Sequence, residues 1–575
     1  MKFTEALRIL QNKPHVPGFT VVLACGFTPL HLRTFLEAHL QAVLPNRRVG
    51  ISTGLYGDLA GTVEGAGQSA AQAVAAAIEW PDLDPRLGYR TTGGWSPADL
   101  TDIVATVERS LDRLQRAFQT LPDSVRIVVS LPTLAMPPVF YTPAWQSGEA
   151  EWRLLELIAA AGRRIAALPH AAVLSPRRLE ELSPRASRPD LRSELSAGLP
   201  YTLAHADILG SALAELIHPP APKKGLITDL DDTLWSGIVG DAGAANVAWD
   251  LAGHAQIHGL YQRVLSALAD QGTLVAVASK NSPEIVESAL ERADILLPRH
   301  KIFPAEIHWG AKSASVGRIL KTWNIAADSV VFVDDSPMEL AEVELAHPGI
   351  RCLLFPKGDY SAATPFLRDL RAAFGKPRVT EEDALRRESI RQGAEFRRLA
   401  DTGQEASPEA FLAGLKARIT IDFRDASRDP RVLELVNKTN QFNLNGVRYG
   451  EADWHAELER PGAFVASVAY EDRFGPLGKI VVISGRVEDG ILRIGTWVMS
   501  CRAFARRIEY QCVRQLFERY GARAIRFDFA ATPRNGPARD FFVSLGAEPA
   551  GPLCLERQSF EDRCPALHHA VSYVE

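Results

Sequence analysis

One stretch of the chain decides its fold: Lys224-Gly-Leu-Ile-Thr-Asp-Leu-Asp-Asp-Thr-Leu-Trp235. Its apolar first part predicts a buried β-strand that ends directly before Asp229, Asp231 and Asp232. Carboxylates placed this close repel one another unless a cation or a phosphate chemistry requires them. The stretch therefore predicts a functional site at the carboxyl end of a strand.

Three further polar features follow in an order that suits a parallel sheet. Ser279 comes after a second apolar run, and Lys312 begins a predicted helix. Asp334 and Asp335 follow a third apolar run. Because the carboxyl ends of parallel strands meet at one edge, we expect these side chains to lie near Asp229. The alternative is that the carboxylates cap separate helices and that Lys312 is an ordinary surface residue.

The pattern Asp-x-Asp-x-Thr-Leu resembles the first motif of the haloacid-dehalogenase (HAD) superfamily of phosphoryl-transfer enzymes. The resemblance implies that Asp229 attacks phosphorus and forms an aspartyl-phosphate. Asp231 would protonate the leaving oxygen and later activate water. Ser279 and Lys312 would stabilise the remaining phosphoryl oxygens in the transition state.

The same resemblance implies Mg²⁺ as the cofactor. Oxygens of Asp229, of Asp334 or Asp335, and of the backbone of Asp231 would hold the ion, which offsets the repulsion among the carboxylates. The predicted metal residues are therefore Asp229, Asp231, Asp334 and Asp335.

The spacing of the motifs leaves no room for a cap domain. Only a small flap containing Trp235 and Gly237-Ile-Val-Gly240 fits after the first motif, and no inserted domain fits between Ser279 and Lys312. An open crevice of this kind suits a large or macromolecule-tethered substrate.

Two further motifs are similar to those of the FkbH-like branch, the capless HAD subfamily IIIC: Ala278-Ser-Lys-Asn-Ser282 and Val333-Asp-Asp-Ser-Pro-Met-Glu-Leu340. Asn437-Lys-Thr-Asn-Gln-Phe-Asn443 looks like part of the acetyltransferase-like (GNAT-like) domain of that family. Family members usually have Asn where this chain has Asp232, so we expect that residue to tune the site without abolishing it.

The FkbH-like resemblance implies an activity on D-1,3-bisphosphoglycerate. The glyceryl group is dephosphorylated and loaded as a thioester on an acyl carrier protein in polyketide assembly. A cysteine is the side chain that can carry a thioester, and Cys501 and Cys352 are the candidates. The alternative for either is a small, inert core residue. The expected partners are a phosphorylated three-carbon acid, or a similar small substrate, and an acyl carrier protein.

The fold class is predicted to be α/β, with strands alternating with helices until a more antiparallel α+β region. Four segments are predicted: an SGNH-hydrolase-like domain with a flavodoxin-like parallel sheet at 1–218, a HAD Rossmann-like domain at 219–375, a helical linker at 376–407, and a GNAT-like domain at 408–575.

The SGNH-like resemblance is incomplete, because the place of the nucleophilic serine reads Cys25-Gly-Phe-Thr28. We therefore expect a docking or scaffolding domain; a hydrolase that uses Thr28 with Asp207 or His205 is the alternative. Trp80-Pro-Asp-Leu-Asp84 is interpreted as a loop at a strand end in preference to a metal site.

The GNAT-like resemblance also departs from its family, because Arg502-Ala-Phe-Ala-Arg-Arg507 stands where a glycine-rich pyrophosphate turn is usual. Acetyl-CoA chemistry is therefore not expected. Arg506 and Arg507 would instead contact an acidic carrier protein, or they are ordinary exposed arginines.

Composition sets the remaining bounds. The 575 residues carry a formal net charge of -5, which argues against a protein that coats nucleic acid. The six scattered cysteines and the lack of a membrane-length apolar run or a signal-peptide pattern predict a cytoplasmic protein with reduced thiols. Two other functions stay open: a plain phosphatase in surface-glycan or lipid assembly, and a non-catalytic adaptor.

Overall fold

The computed structural model describes residues 1–16, 18–91, 96–376, 390–391, 408–423, 429–439, 441–473, 475–488, 491–500, 503–504 and 506–574. The chain divides into two units, Met1–Pro220 with Gly450–Ala452 and Ala221–Tyr449 with Asp453–Glu575. The predicted helical linker lies outside the described residues except for 376, 390 and 391. Within the described residues, no helix has both the length and the apolar character needed to cross a membrane.

The first unit contains a parallel sheet with the strand order β2-β1-β3-β4-β5. Its strands are β1 (Gly18–Ala24), β2 (Arg48–Thr53), β3 (Ala73–Ala77), β4 (Arg126–Ser130) and β5 (Ala171–Val173). Its helices are α1 (Phe3–Gln11), α2 (Leu30–Val43), α3 (Leu59–Ala66), α4 (Trp80–Leu83), α5 (Leu100–Gln119), α6 (Glu149–Ala166), α7 (Pro176–Leu182), α8 (Leu191–Ala197) and α9 (Leu203–Ile217). Successive side chains of β1 enter two separate cores, Val21 and Leu23 on one face and Val22 and Ala24 on the other. The sheet is therefore covered on both faces, as the alternation of strands and helices predicts.

The second unit begins with another parallel sheet, with the strand order β10-β9-β6-β7-β8. Its strands are β6 (Gly225–Thr228), β7 (Leu274–Ser279), β8 (Ile302–Ile307), β9 (Val330–Asp334) and β10 (Arg351–Leu354). Its helices are α10 (Val239–Ala242), α11 (Gln256–Asp270), α12 (Pro283–Leu290), α13 (Lys312–Trp323), α14 (Pro337–Ala346) and α15 (Tyr360–Ala373). All residues of β6, β7 and β9 are buried, which explains why each strand is apolar up to its last residue.

The remainder of the second unit forms a mixed, mostly antiparallel sheet with the order β17-β16-β15-β14-β13-β11-β18. Its strands are β11 (Arg418–Asp422), β12 (Phe442–Asn443), β13 (Ala463–Asp472), β14 (Gly475–Glu488), β15 (Ile491–Met499), β16 (Ala524–Phe527), β17 (Leu553–Glu556) and β18 (Ala570–Tyr573). Its helices are α16 (Pro408–Gly414), α17 (Pro430–Lys438), α18 (Glu451–Leu458), α19 (Ile508–Tyr520), α20 (Gly536–Ser544) and α21 (Arg557–Glu561). Two parallel sheets followed by a mixed sheet confirm the predicted fold class.

The mixed sheet joins segments that are far apart in the chain. Strand β18 pairs in parallel with β11, with Ala570 opposite Arg418 and Tyr573 opposite Ile421. Strand β12 pairs with the last two residues of β15, whereas β16 pairs with its first four residues.

Candidate active site

The predicted strand ends meet at one edge of the second parallel sheet. Thr228, the last residue of β6, is paired with Val333 of β9 and with Val277 of β7. The amide of Asp229 donates to the carbonyl of Val333 at 2.9 Å, so the ends of β6 and β9 stay in register. The side chains that follow these strands therefore start from neighbouring positions.

Lys312, the first residue of α13, joins two of the carboxylates. Its Nζ atom lies 3.0 Å from Asp229 Oδ1 and 2.6 Å from Asp334 Oδ2. The Lys312 and Asp229 side chains are 7% exposed, and that of Asp334 is 0% exposed. This is a buried cation held between two acids, which excludes the interpretation of Lys312 as a surface residue.

Burial dominates the electrostatics of this group. It raises the pKa of Asp229 to about 7; Lys312 opposes that shift and the neighbouring Asp334 adds to it. Burial likewise raises the pKa of Asp334, again against the effect of Lys312. Burial lowers the pKa of Lys312, but the charges of Asp229 and Asp334 outweigh it and the net shift is upward. One lysine thus offsets the two acids incompletely, and a bound cation would stabilise both as carboxylates.

Three carboxylates form a group of the size that holds a metal ion. One oxygen from each of Asp229, Asp334 and Asp335 lies within 4.8 Å of the other two. The buried Oδ1 of Asp229 accepts no well-directed hydrogen bond from the described residues, despite the nearby Lys312. An oxygen-only set with an unsatisfied buried acceptor fits a hard divalent cation such as Mg²⁺ or Ca²⁺.

The side chain of Asp231 is not among the clustered carboxylates and accepts hydrogen bonds from three donors. Oδ1 accepts hydrogen bonds from Trp235 Nε1 at 2.9 Å and from the amide of Val239 at 3.0 Å. Oδ2 accepts from Asn281 Nδ2 at 3.0 Å. The side chain of Asp231 is therefore held apart from metal binding, whereas the expected contribution of its backbone to the metal site stays a prediction.

Asn281 is a site residue that the sequence reasoning missed. It is buried and also donates to Ser279 Oγ at 3.0 Å, so one amide connects the ends of β6 and β7. The available signal was its position, two residues after Ser279 in a loop at a strand end.

Asp232 occupies the position where the FkbH-like resemblance expects Asn. Its φ is +53°, a left-handed conformation that Asn and Asp adopt more readily than most residues. Its carboxylate accepts a hydrogen bond from the amide of Gly237 at 2.8 Å and pairs with Lys357. Lys357 also lies 3.4 Å from Asp335, and sequence reasoning missed this lysine as well. The extra acid is therefore neutralised locally.

The crevice has a flap and no inserted domain. Ser236 and Ala248 exchange backbone hydrogen bonds of 2.8 and 3.2 Å, which close a small loop containing α10 between Asp231 and α11. Between Ser279 and Lys312 the chain forms α12 and β8, which belong to the core architecture. The capless arrangement predicted from the motif spacing is what the structure shows.

Of the two predicted cysteines, the structure describes Cys352, which does not belong to the group of clustered carboxylates. Cys352 lies within β10, and its thiol donates to the carbonyl of Leu340 at 3.6 Å. Burial raises the pKa of Cys352 to about 11, with the charges of Glu344 and Asp334 adding to the shift. A thiol of this kind is a poor nucleophile near neutral pH. Cys501 lies outside the described residues, so its role stays a prediction.

The structure does not assemble the alternative Thr28 hydrolase. The Thr28 hydroxyl donates to the carbonyl of Ala197 at 2.7 Å. His205 is buried and contacts Thr133 and Ser183, whereas Asp207 pairs with the N-terminal ammonium and with His39. These contacts engage both proposed partners elsewhere.

The two arginines expected to contact a carrier protein are engaged within the C-terminal sheet region. Arg506 is 2% exposed and pairs with the buried Asp472 at 3.2 Å. Arg507 forms a two-point ion pair with Glu409, at 2.9 and 2.7 Å, and donates to the carbonyl of Ala566 at 2.8 Å. The expectation of an exposed basic surface at this turn was therefore wrong for Arg506, and Arg507 already has an internal partner.

The sequence matches no protein-family model, and a search of curated proteins found no significant match. Among solved structures, the chain is similar to the N-terminal part of the protein BF1531 from Bacteroides fragilis, described as containing a phosphatase domain and complexed with Mg. The sequences are 20% identical, the TM-score is 0.52, and the match covers 66% of this chain and 100% of the other. This likeness shows a shared fold, in agreement with the predicted Rossmann-like core.

Proposed function

We propose that the chain is a Mg²⁺-dependent phosphohydrolase of the HAD type. The observation that carries this proposal is the contact of Lys312 with Asp229 and Asp334 at the strand ends, beside Asp335. Buried acids and a buried lysine converge where open α/β sheets bind their ligands. The similarity to a Mg-complexed, phosphatase-containing protein supports the same reaction class.

The residues divide the reaction between them. An oxygen of Asp229 forms a bond to phosphorus as the bond to the leaving oxygen breaks, and Asp231 donates a proton to that oxygen. Asp231 then takes a proton from water, whose oxygen attacks phosphorus and releases phosphate from Asp229. Lys312 and Ser279 bind the other phosphoryl oxygens as charge develops on them. Mg²⁺ held by the three carboxylates would offset their charge and polarise a phosphoryl oxygen.

The test is release of inorganic phosphate from para-nitrophenyl phosphate and a panel of phosphorylated three-carbon acids, with Mg²⁺ or with EDTA. Asp229→Asn should abolish release, because the amide removes the nucleophile and a metal ligand together. Asp270→Asn is the matched control, since that carboxylate is 62% exposed at the end of α11. Equal phosphate release by the Asp229→Asn and wild-type proteins would exclude the proposed reaction, and no release by either protein would favour an adaptor.

The finer proposal is FkbH-like: dephosphorylation of D-1,3-bisphosphoglycerate and transfer of the glyceryl group to an acyl carrier protein. The motif resemblance supports it, and so does the capless crevice, which leaves space for a carrier-borne group. Of the two thiol candidates, Cys501 is preferred because burial raises the pKa of Cys352 to about 11.

Intact mass spectrometry of phosphopantetheinylated carrier proteins, after incubation with enzyme, Mg²⁺ and bisphosphoglycerate, tests the transfer. Cys501→Ser should abolish the glyceryl adduct, whereas Cys554→Ser, at an exposed cysteine of the same region, should not. Phosphate release with no adduct on any carrier would instead support a plain phosphatase of glycan or lipid assembly.

A further inference from the structure

The first unit contains a cavity of about 430 Å³ that the proposed phosphatase does not use. Its walls come from segments that follow four strands: Phe27 after β1, Tyr56 after β2, Asp82 after β3 and Leu134 after β4. In sheets with the order 2-1-3-4-5, ligands bind at this edge, between the first and third strands. The volume falls within the range of about 300–1,000 Å³ that small-molecule sites occupy.

A pair of acids forms one side of the cavity, and they differ in what they can offer a ligand. Glu79 is buried and already accepts hydrogen bonds from the amides of Thr133 and Leu134, each at 3.1 Å, and from the Tyr201 hydroxyl at 2.7 Å. The carboxylate oxygens of Glu79 are therefore already occupied by donors of the protein itself. Asp82 is the acid that remains to meet a ligand.

Asp82 lies against the turn after β1. Its Oδ2 accepts a hydrogen bond from the amide of Glu79 at 2.8 Å, and an added Cβ at Gly26 would lie 2.0 Å from its Oδ1. Glycine at position 26 thus makes space for the carboxyl group. Burial raises the pKa of Asp82 to about 7; the amide of Glu79 opposes the shift and the charge of Glu79 adds to it. Near neutral pH this group both accepts and donates hydrogen bonds.

The rest of the lining combines apolar surface with balanced charge. Phe27 and Leu83 are buried apolar walls, and the ring of Tyr56, which is 58% exposed, lies at the rim. The Arg90 guanidinium lies 5.6 Å from the centre of that ring and donates to the carbonyl of Glu194 at 2.6 Å. An anion would meet the acids Asp82 and Glu194, and a cation would meet Arg90, so the lining disfavours both kinds of charged ligand.

We propose that this cavity binds a small neutral hydroxylated molecule of the sugar or polyol class, with a ligand hydroxyl on Asp82 and an apolar ligand face on Tyr56. A flat aromatic ring can pack against the C–H surface of such a molecule, and a carboxyl group can form hydrogen bonds with its hydroxyl groups. No bond is made or broken, because Thr28 and His205 are engaged in other contacts. The first unit is then a ligand-recognition domain.

Ligand-observed NMR on the full chain tests this proposal. The neutral probes are glucose, galactose, N-acetylglucosamine, inositol and glycerol, and the charged probes are glucosamine and glucuronate. We expect at least one neutral probe to bind with a Kd below about 10 mM. Tyr56→Ala and Asp82→Ala should each weaken binding by about tenfold. Tyr141→Ala, at a tyrosine of the same unit that is 65% exposed and outside the cavity lining, should leave binding unchanged.

If Asp82→Ala lowers the melting temperature, its binding result is ambiguous. Tyr56→Ala then still tests the proposal, because the exposed ring of Tyr56 contributes little to folding. Asp229→Asn should bind the neutral probe as the wild type does, which separates this site from the phosphatase. The proposal is overturned if none of the neutral probes binds, if glucosamine or glucuronate binds more tightly than they do, or if Tyr56→Ala behaves like Tyr141→Ala.

Discussion

Replacing Asn281 by alanine should slow phosphate release, because it removes two hydrogen bonds inside the candidate site. The amide donates at 3.0 Å both to Asp231 Oδ2 and to Ser279 Oγ, and its side chain is buried. A hydrogen bond to a charged group contributes about 1.5–3 kcal/mol. At 1.36 kcal/mol per factor of ten, the loss predicts a fall in kcat of about tenfold to 150-fold.

Steady-state kinetics with para-nitrophenyl phosphate and saturating Mg²⁺ measures this effect. Because Asn281 contacts protein groups, kcat should fall more than KM rises. Asn281→Asp should be slower still, since it places a second acid beside Asp231 and raises the pKa of the pair, moving the acid limb of the pH–rate profile upward. A purely structural role for Asn281 would leave the shape of that profile unchanged.

Asn246→Ala is the matched control for this prediction. That asparagine is exposed in the flap, and its amide donates to the carbonyl of Ala242 at 2.7 Å. A kcat for Asn281→Ala within about threefold of wild type would refute the idea that its hydrogen bonds position Asp231 and Ser279.

Three other predictions concern charge. Burial raises the pKa of Asp229 from 3.8 to about 7 in the metal-free protein, so this group makes the folded state less stable as pH rises through that window. Mg²⁺ should therefore raise the melting temperature more at pH 8 than at pH 6, and equal shifts in differential scanning fluorimetry would contradict this. Lys312→Met should lower kcat by about 100-fold. In EDTA it should also lower the melting temperature, because Asp229 and Asp334 lose their cation, and added Mg²⁺ should restore part of the lost melting temperature. Arg506→Ala should destabilise the C-terminal sheet region by about 3 kcal/mol, because buried Asp472 loses its arginine; faster proteolysis with unchanged phosphatase activity is the expected result, and unchanged proteolysis would contradict it.

The sequence was sufficient for the sheet edge and most of the candidate site. The runs before Asp229, Ser279 and Asp334 are apolar except for Thr228, because β6, β7 and β9 are buried. A polar residue directly after such a run must lie at the end of the sheet. Local patterning therefore places each group, and the parallel topology brings them together.

Contacts between segments that are distant in the sequence could not be predicted from local sequence patterns. Lys357 pairs with Asp232 across 125 positions, and Arg506 pairs with Asp472 across 34. In the sequence, an arginine shortly before a helix, such as Arg506, looks like an exposed residue until its buried partner is known. Asp82 was set aside for the same reason. The segment Trp80–Asp84, expected to be a loop, contains the short helix α4, and Asp82 becomes part of a cavity only when the other strand ends surround it.

The pairing of β18 with β11 has a consequence for how the C-terminal sheet folds during translation. Thr420 and Ser572, whose hydroxyls lie 3.1 Å apart across these strands, are separated by 152 positions. At a synthesis rate of about 5–20 residues per second, strand β11 is synthesised roughly 8–30 s before β18, the strand that covers its edge. During that interval its bare edge can pair with another nascent chain, so we expect truncations before Ala570 to aggregate, with chaperones needed to shield the unfinished sheet.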